Sequence, residues 1–198
     1  MITAYHIDRR NLCTAGAVLF SDENGYSAHG REYNRPILLD DVGPFKSALI
    51  EHYFELIRAI DFPHMPSRFS CWFGSEPGSE AFKHWHTRKG FKNFPVWEVE
   101  AEAAFKADSS LLDVFSTANG QDYFNPKMMR ENAQYYWQGH SLQELLKNLG
   151  YTHELAVPPP QGLPPWKVVG GSAQGCGYEP LWELVLSPPV RVVRRAAL

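Results

Sequence analysis

The segment "PLWELVLSPPVRVVRR", residues 180–195, restricts the fold more than any other part of the chain. Pro188 and Pro189 have no backbone N–H to give to a helix or a central strand, so the apolar runs on either side of them are separate elements. Trp182, Leu184, Val185 and Leu186 before them, and Val190, Val192 and Val193 after them, are of the bulky and β-branched kind that favours strands. The pattern predicts two buried strands folded over the Pro-Pro turn. Glu183 interrupts the first of them. In an alternating strand with one wet face it would simply meet water; otherwise its carboxylate is aimed into a cleft.

The remaining elements follow from punctuation and period. "ITAYHI" is a β-prone run that brings His6 to a strand end, and "CTAGAVLF" reads as a second strand or an extended arm. Ser21 to Asp41 is polar with scattered Gly and Asn, and reads as a surface loop. "GPFKSALIEHYFELIRAI" is the clearest helix: Pro44 suits its first position, and Phe45, Leu49, Phe54, Leu56, Ile57 and Ile60 recur at helical spacing. "FPHMPSR" stops it. "RFSCWFGS" reads as a strand, "GSEAFKHWHTRKG" as a short helix ended by Gly90, and "FPVWEVEAE" as an alternating strand. In "SLQELLKNLG", Ser141 and Glu144 form a capping box and Gly150 closes the helix. The Pro- and Gly-dense run from Pro158 to Pro180 reads as a long loop, and loops of that length inside a compact domain are commonly functional.

A chain of 198 residues fits one domain spanning 1–198. The formal charge of −3 gives no broad attraction to nucleic acid, although the tail "RVVRRAAL" is locally basic. No apolar run approaches the roughly 20 residues that span a bilayer, and "MITAYHIDRR" lacks the apolar core of a signal peptide. The expectation is therefore a cytoplasmic chain with no membrane partner, unless a secretion system delivers it into another cell. Cys13, Cys71 and Cys176 are too few and too odd a set for a disulfide framework.

His84 and His86 stand two apart on a predicted helix and point to different faces, and neither a C-x-x-C nor an H-E-x-x-H motif accompanies them, so no metal is expected. The chain has no phosphate-binding G-x-x-x-x-G-K-[ST] loop. Cys176, in "GGSAQGCGYE", lacks any local signature of a nucleophile and reads as a small loop residue. Glu144 has its capping role, and Glu98, Glu100 and Glu102 alternate on one strand as its solvated face. Tyr5, Trp72, Trp85, Tyr136, Trp137 and Trp166 are read most simply as core or rim aromatics. Among the carboxylates only Glu183 is left without a local explanation.

Taken in order, these pieces resemble the ADP-ribosyltransferase superfamily, in its branch with a His, aromatic, Glu signature. "AYHIDRRNLCTAGAVL" is similar to that branch's first strand, where a Tyr-His pair precedes an L-x-x-G-x-x-L segment. "RFSCWFGSEPGSEAFKHW" resembles the next motif, a strand followed by a helix, and "VWEVEAE" the strand after it. "PLWELVLSPPVRVV" is similar to the family's E-x-E-V-L-L-P-P-G-T-x-F-x-V, which sets Glu183 on the family's glutamate. The chain also resembles, over nearly its whole length, a group of bacterial proteins that begin near "YHI" and carry "PSRF", a YW-x-G motif and a terminal "WE" strand.

The resemblance implies an α+β fold, a split antiparallel β-sandwich with flanking helices. It implies an enzyme that breaks the bond between nicotinamide and ribose in NAD, taken as substrate, and passes ADP-ribose to an acceptor. Glu183 would be catalytic, stabilising the positive charge that develops on the ribose. Tyr5 and His6 would bind NAD, with His6 hydrogen-bonding the adenosine ribose. Trp72 would stack on nicotinamide, with Ser70 and Phe73 as rivals for that place and Arg68 beside them in the same motif. The loop before the glutamate, with Trp166, Tyr178 and Leu181, would meet the acceptor. Leu181 stands where arginine-modifying members have Glu or Gln, which turns the expectation away from arginine and toward another protein group, a nucleic acid or a small molecule. A toxin or effector of this kind would have an antitoxin or immunity protein as a further partner. An NAD glycohydrolase, and a non-catalytic binding protein on the same scaffold, are the alternatives.

Overall fold

A computed structural model of the chain describes residues 1–36, 42–87, 91–112, 115–118, 121–124, 126–148 and 180–198. Strands β1 (Ile2–Ile7) and β2 (Val18–Leu19) lead to helices α1 (Ala28–Tyr33) and α2 (Val42–Asp61). Strand β3 (Trp72–Gly74), helix α3 (Glu80–Thr87) and strands β4 (Val96–Ala101) and β5 (Ala104–Asp108) follow. A short 3-10 turn (Ser109–Leu112), the hairpin β6 (Phe115–Ala118) and β7 (Gln121–Phe124), helices α4 (Pro126–Trp137) and α5 (Leu142–Asn148), and strands β8 (Trp182–Leu186) and β9 (Val190–Arg195) complete the order.

Two antiparallel sheets form the frame, one of four strands in the order β1-β4-β9-β2 and one of three in the order β3-β8-β5. Together with the helices they make an α+β fold. Ala4, Trp72, Val99, Leu184, Leu186, Val190 and Val192 fill one core, to which both sheets contribute. The other face of the three-stranded sheet is covered by helices, where Phe54, Ile57, Met129, Tyr136, Trp137 and Leu145 pack against Val185 and Ala107. Strand β8 is thus buried on both faces, which is why "WELVL" reads as a nearly continuous apolar run. Alternation sends Leu184 and Leu186 into the first core and Val185 into the second, and Glu183 shares the face of Val185.

The strands on either side of the prolines do not form a hairpin. Strand β8 pairs with β3 and β5, whereas β9 pairs with β4 and β2, so the chain passes from one sheet to the other at Ser187–Pro189, where the Pro188–Pro189 bond is cis. Two residues without N–H donors suit a crossing between ladders better than the start of one. Other departures have similarly local causes. The loop expected over Ser21–Asp41 contains α1, too short and too rich in polar residues to show a period. Its cap is Ser27, whose hydroxyl accepts from the Gly30 amide at 3.2 Å. The strand expected over "RFSCWFGS" shrinks to Trp72–Gly74, because Arg68–Ser70 forms a turn in which the Ser70 and Cys71 amides both donate to the Ser67 carbonyl at 3.1 Å. "CTAGAVLF" contributes only the two residues of β2.

Helix α2 exists as expected and buries Phe54 and Ile57, but not the whole of the expected stripe. Phe45, Leu56 and Ile60 are exposed, and the buried line is Ala48, Glu51, Phe54 and Ile57. The capping box at α5 is formed, with the Ser141 amide donating to Glu144 Oε2 at 2.6 Å and the Glu144 amide to the Ser141 hydroxyl at 3.2 Å. Helix α4 and strands β5 to β7 have no counterpart in the sequence reading. Gly90 and Gly150, like Trp166, Cys176 and Tyr178, lie outside the described residues. Among the described residues no helix is long and apolar enough to cross a membrane.

Helix α1 is held hard against the Arg68–Ser70 turn. The Ser27 amide donates to the Phe69 carbonyl at 2.7 Å, and a methyl group placed on Gly30 would meet that same carbonyl oxygen at 2.1 Å. Backbone cannot yield there as a flexible side chain would. Gly30→Ala should therefore lose at least the 1–3 kcal/mol typical of overpacking, about what a urea denaturation resolves. A Gly30→Ala chain as stable as the parent would contradict this contact.

Candidate functional site

The two sheets meet along their edge strands. The Tyr5 amide donates to the Ser75 carbonyl at 2.8 Å and the Ser75 amide to the Tyr5 carbonyl at 2.9 Å, joining β1 to the end of β3. Gly74 permits the approach, since a methyl group on it would lie 2.9 Å from the Ala4 side chain. Beside this junction, His6 Nδ1 lies 2.7 Å from the Phe73 carbonyl oxygen. A carbonyl only accepts, so the proton is assigned to Nδ1. Burial, partly countered by that bond, lowers the His6 pKa from its ordinary 6.5. The imidazole is accordingly neutral near pH 7, with Nε2 as an acceptor.

A cavity of about 260 Å³ opens at this junction. His6, Trp72, Phe73, Arg68, Glu51 and Glu183 line it, and Arg9 and Arg10 extend its wall. Its charged side is a buried network around Arg68. The guanidinium grips Glu51 with two bonds, Nε to Oε2 at 2.7 Å and Nη2 to Oε1 at 2.9 Å. Its third nitrogen, Nη1, donates to Glu183 Oε1 at 2.6 Å and also touches the Tyr136 hydroxyl. The Tyr136 hydroxyl donates to the same Glu183 Oε1 at 2.7 Å. Above this, the guanidinium carbon lies 4.5 Å from the centre of the Phe73 ring. His29, from α1, brings Nε2 to 3.4 Å from Glu51 Oε2 and sets its ring at a tilt to that of Phe73, with centres 4.6 Å apart.

Burial and charge act against each other here. Burial alone would raise the Glu51 carboxyl, but the Arg68 guanidinium, with His29 beside it, holds it well below the usual carboxylate range. Burial would lower Arg68, but Glu183 and Glu51 raise it further. Burial and the Glu183 charge push the Tyr136 phenol well up, against the pull of Arg68, so it remains a donor. Each charge is tolerated because its partner is present.

Glu183 is therefore not the wet strand position that alternation allows: it is 9% exposed and faces the cavity. His6 reaches the same cavity from the other sheet. Trp72 borders it too, edge-on to His6 with ring centres 5.8 Å apart, but sits on the opposite face of β3 from Phe73. Phe73 pairs with Val185 in the ladder, and so shares the face that carries Glu183. Tyr5 borders the cavity with its ring edge-on to Phe82. Ser70 does not line it; its hydroxyl donates to the Ser67 carbonyl at 3.0 Å. Leu181 is fixed by its backbone, the amide donating to Asp108 Oδ1 at 2.9 Å and the carbonyl accepting from the Ser109 amide and hydroxyl at 2.9 and 2.8 Å.

Three network members were not singled out as functional from the sequence. Glu51 had a signal, a carboxylate in register with Ala48, Phe54 and Ile57 on the buried stripe of α2. Tyr136 read as one more core aromatic because α4 itself was not foreseen. His29 sat in what read as a loop. His6, Asp8 and Cys13 also group together, their potential ligand atoms within 4.8 Å of one another. The Asp8 carboxylate, however, accepts the amides of Arg10, Leu12 and Cys13 at 3.2, 3.0 and 2.7 Å. Burial, with Asp8 adding to it, pushes the Cys13 thiol up to about 12. A protonated thiol is a poor ligand, and the trio is read as the anchor of the loop that follows β1.

The half-buried, neutral His6 gives a pH dependence. An unfolded chain takes up a proton near the ordinary 6.5 whereas the folded one resists, so stability is full above that pH and falls below it. Between about pH 7.5 and 5.5, the parent chain should lose more stability than His6→Gln, by at most about 1.4 kcal/mol per pH unit, in urea titrations at each pH. Equal losses would show that folding does not hold His6 in its neutral form.

Among curated proteins, none matches the chain. A family model matches residues 21–149, a span that contains His29, Glu51, Arg68, Phe73 and Tyr136 and leaves out His6 and Glu183. That match covers more than half of the sequence, and the chain belongs to the family described as "Protein of unknown function (DUF2441)".

Proposed function

We propose that the protein cleaves the nicotinamide–ribose bond of NAD and transfers the ADP-ribose to an acceptor, on a split sandwich of the ADP-ribosyltransferase type. One observation carries the reading. Glu183 on β8 and His6 on β1, strands of different sheets, line a single cavity together with the aromatic rings of Trp72 and Phe73. These are the residue types, in the chain order, that the sequence resemblance assigns to NAD.

The chemistry suits the groups present. When the bond between ribose C1′ and the pyridinium nitrogen breaks, its electron pair leaves with nicotinamide, which becomes neutral, and positive charge develops on the ribose. A fixed carboxylate beside the ribose stabilises that charge and accepts a hydrogen bond from a ribose hydroxyl. The acceptor's nucleophilic atom then bonds to C1′ and releases its proton to solvent. Glu183 would act in this step through Oε2, which accepts no hydrogen bond among the described residues, while Oε1 is held by Arg68 and Tyr136. His6 Nε2 would accept from the hydroxyl of the other ribose. The ring of Phe73, on the same face as Glu183, is better placed than Trp72 to lie against nicotinamide. At 260 Å³ the cavity is smaller than the roughly 300–1,000 Å³ of sites for drug-sized ligands, so it would enclose only part of the dinucleotide.

Incubation with labelled NAD and cell lysate, read by nicotinamide release and by mass spectrometry of adducts, tests the proposal. Release with an adduct on a protein, nucleic acid or small molecule is expected; free ADP-ribose without an adduct would assign a glycohydrolase. Glu183→Gln should reduce release by on the order of a hundredfold to a thousandfold while its melting curve remains cooperative. Full activity in folded Glu183→Gln would overturn the assignment.

A further inference from the structure

Arg68 belongs to the motif that the resemblance assigns to NAD binding, yet every nitrogen of its guanidinium is committed within the protein. Two bond Glu51 and the third bonds Glu183 and touches Tyr136, with the side chain only 3% exposed. We infer that Glu51, Arg68 and Tyr136 are positioning residues that fix the carboxylate of Glu183 and present its Oε2 to the cavity; the inference rests on the reading of Glu183 as the reacting group.

Both donors converge on one oxygen. Arg68 Nη1 at 2.6 Å and the Tyr136 hydroxyl at 2.7 Å approach Glu183 Oε1 from two different elements, the turn before β3 and helix α4. Two bonds from separate directions to one atom remove the rotation about the last side-chain torsion that a single bond would leave. The orientation of the carboxylate is then set before any ligand arrives.

Glu51 answers the electrostatic difficulty this creates. A carboxylate paired with a lone guanidinium would have its charge largely cancelled, and so would stabilise a developing cation poorly. Here the guanidinium is already gripped on two nitrogens by Glu51, which takes up most of its charge and leaves Glu183 with a net field toward the cavity. The geometry also orients Arg68, since bidentate pairing fixes the plane of the guanidinium and with it the direction of Nη1.

The test compares Tyr136→Phe, Glu51→Gln and the parent protein by steady-state nicotinamide release from NAD, by thermal melting, and by the ¹³C shift of the Glu183 carboxyl, assigned by its loss in Glu183→Gln. Tyr136→Phe keeps the ring and its packing and loses only the hydroxyl, so it remains informative if Glu51→Gln does not fold. Positioning predicts that kcat falls by about tenfold to a hundredfold, with KM within about twofold of the parent, and that the carboxyl resonance moves. A raised KM with kcat retained would mean that the trio contacts the dinucleotide directly, and parental kcat and KM in folded variants would mean that it only supports the fold; either overturns the inference. If the parent protein releases no nicotinamide, the NAD reading fails by itself. The positioning of Glu183 then stands if its resonance moves in Tyr136→Phe and falls if it does not.

Discussion

The buried guanidinium of Arg68 is the interaction on which the rest of this structure depends. It joins Glu51 on α2, Tyr136 on α4 and Glu183 on β8 at one point beneath the junction of the two sheets. Taking such charges out of water is costly, and the pairing repays it only because the geometry is good on every side. Removing a single partner from a buried cluster of this sort typically costs about 3–5 kcal/mol, since it strands an uncompensated charge. An apolar core of equal volume would hold α2 and α4 to the sheet without that risk. The charged arrangement adds direction, because a guanidinium can be satisfied in very few orientations.

Around that centre the architecture divides its tasks. One sheet supplies His6 and the other supplies Phe73 and Glu183, while the turn before β3 and helix α4 supply the groups bonded to Glu183. The junction exists because Gly74 lets β1 and β3 approach and because Gly30 lets α1 close over the Arg68–Ser70 turn. Two residues without side chains thus decide how near the charged network comes to the cavity. A similar economy is seen at Asp108, which is fully buried and receives the amides of Ser110, Leu142 and Leu181. That carboxylate ties the end of β5, the start of α5 and the approach to β8 to one another.

What the sequence revealed, and what it hid, follows from how local each cause is. The capping box of α5, helix α2 and strand β4 are signalled by neighbours in sequence, and they are present, although α2 begins at Val42, two residues before Pro44, and a register shift at Glu98/Val99 interrupts the alternation of β4. Strand β8 was legible as a strand, but its partners were not: pairing with β3 and β5 rather than β9 depends on residues about 80 to 110 positions away, and no local pattern encodes it. Glu183 and His6 were legible as candidates through their place in an ordered series of motifs. The choice between Trp72 and Phe73 was not, because a shift of one residue in a strand exchanges its faces. Arg68 was noticed for its motif and Tyr136 as an aromatic, yet their joint hold on Glu183 arises only when a turn, a helix and a strand meet. Glu51 shows the opposite case, since a carboxylate at the spacing of a buried stripe was visible and its partner was not.

The passage from β8 to β9 through the two prolines has a consequence for how the chain is made. Strand β8 is the middle strand of one sheet, and β9 lies between β4 and β2 in the other. Until residues 182–195 are available, therefore, β2 has no strand to pair with, the β1–β4 pair lacks its other neighbour, and β3 and β5 lack the strand that stands between them. During synthesis from the N-terminus, the helices and the β6–β7 hairpin precede the segment that seals both layers. The carboxylate that faces the cavity arrives in that same segment, so the protein acquires it and its two completed sheets in a single closing step.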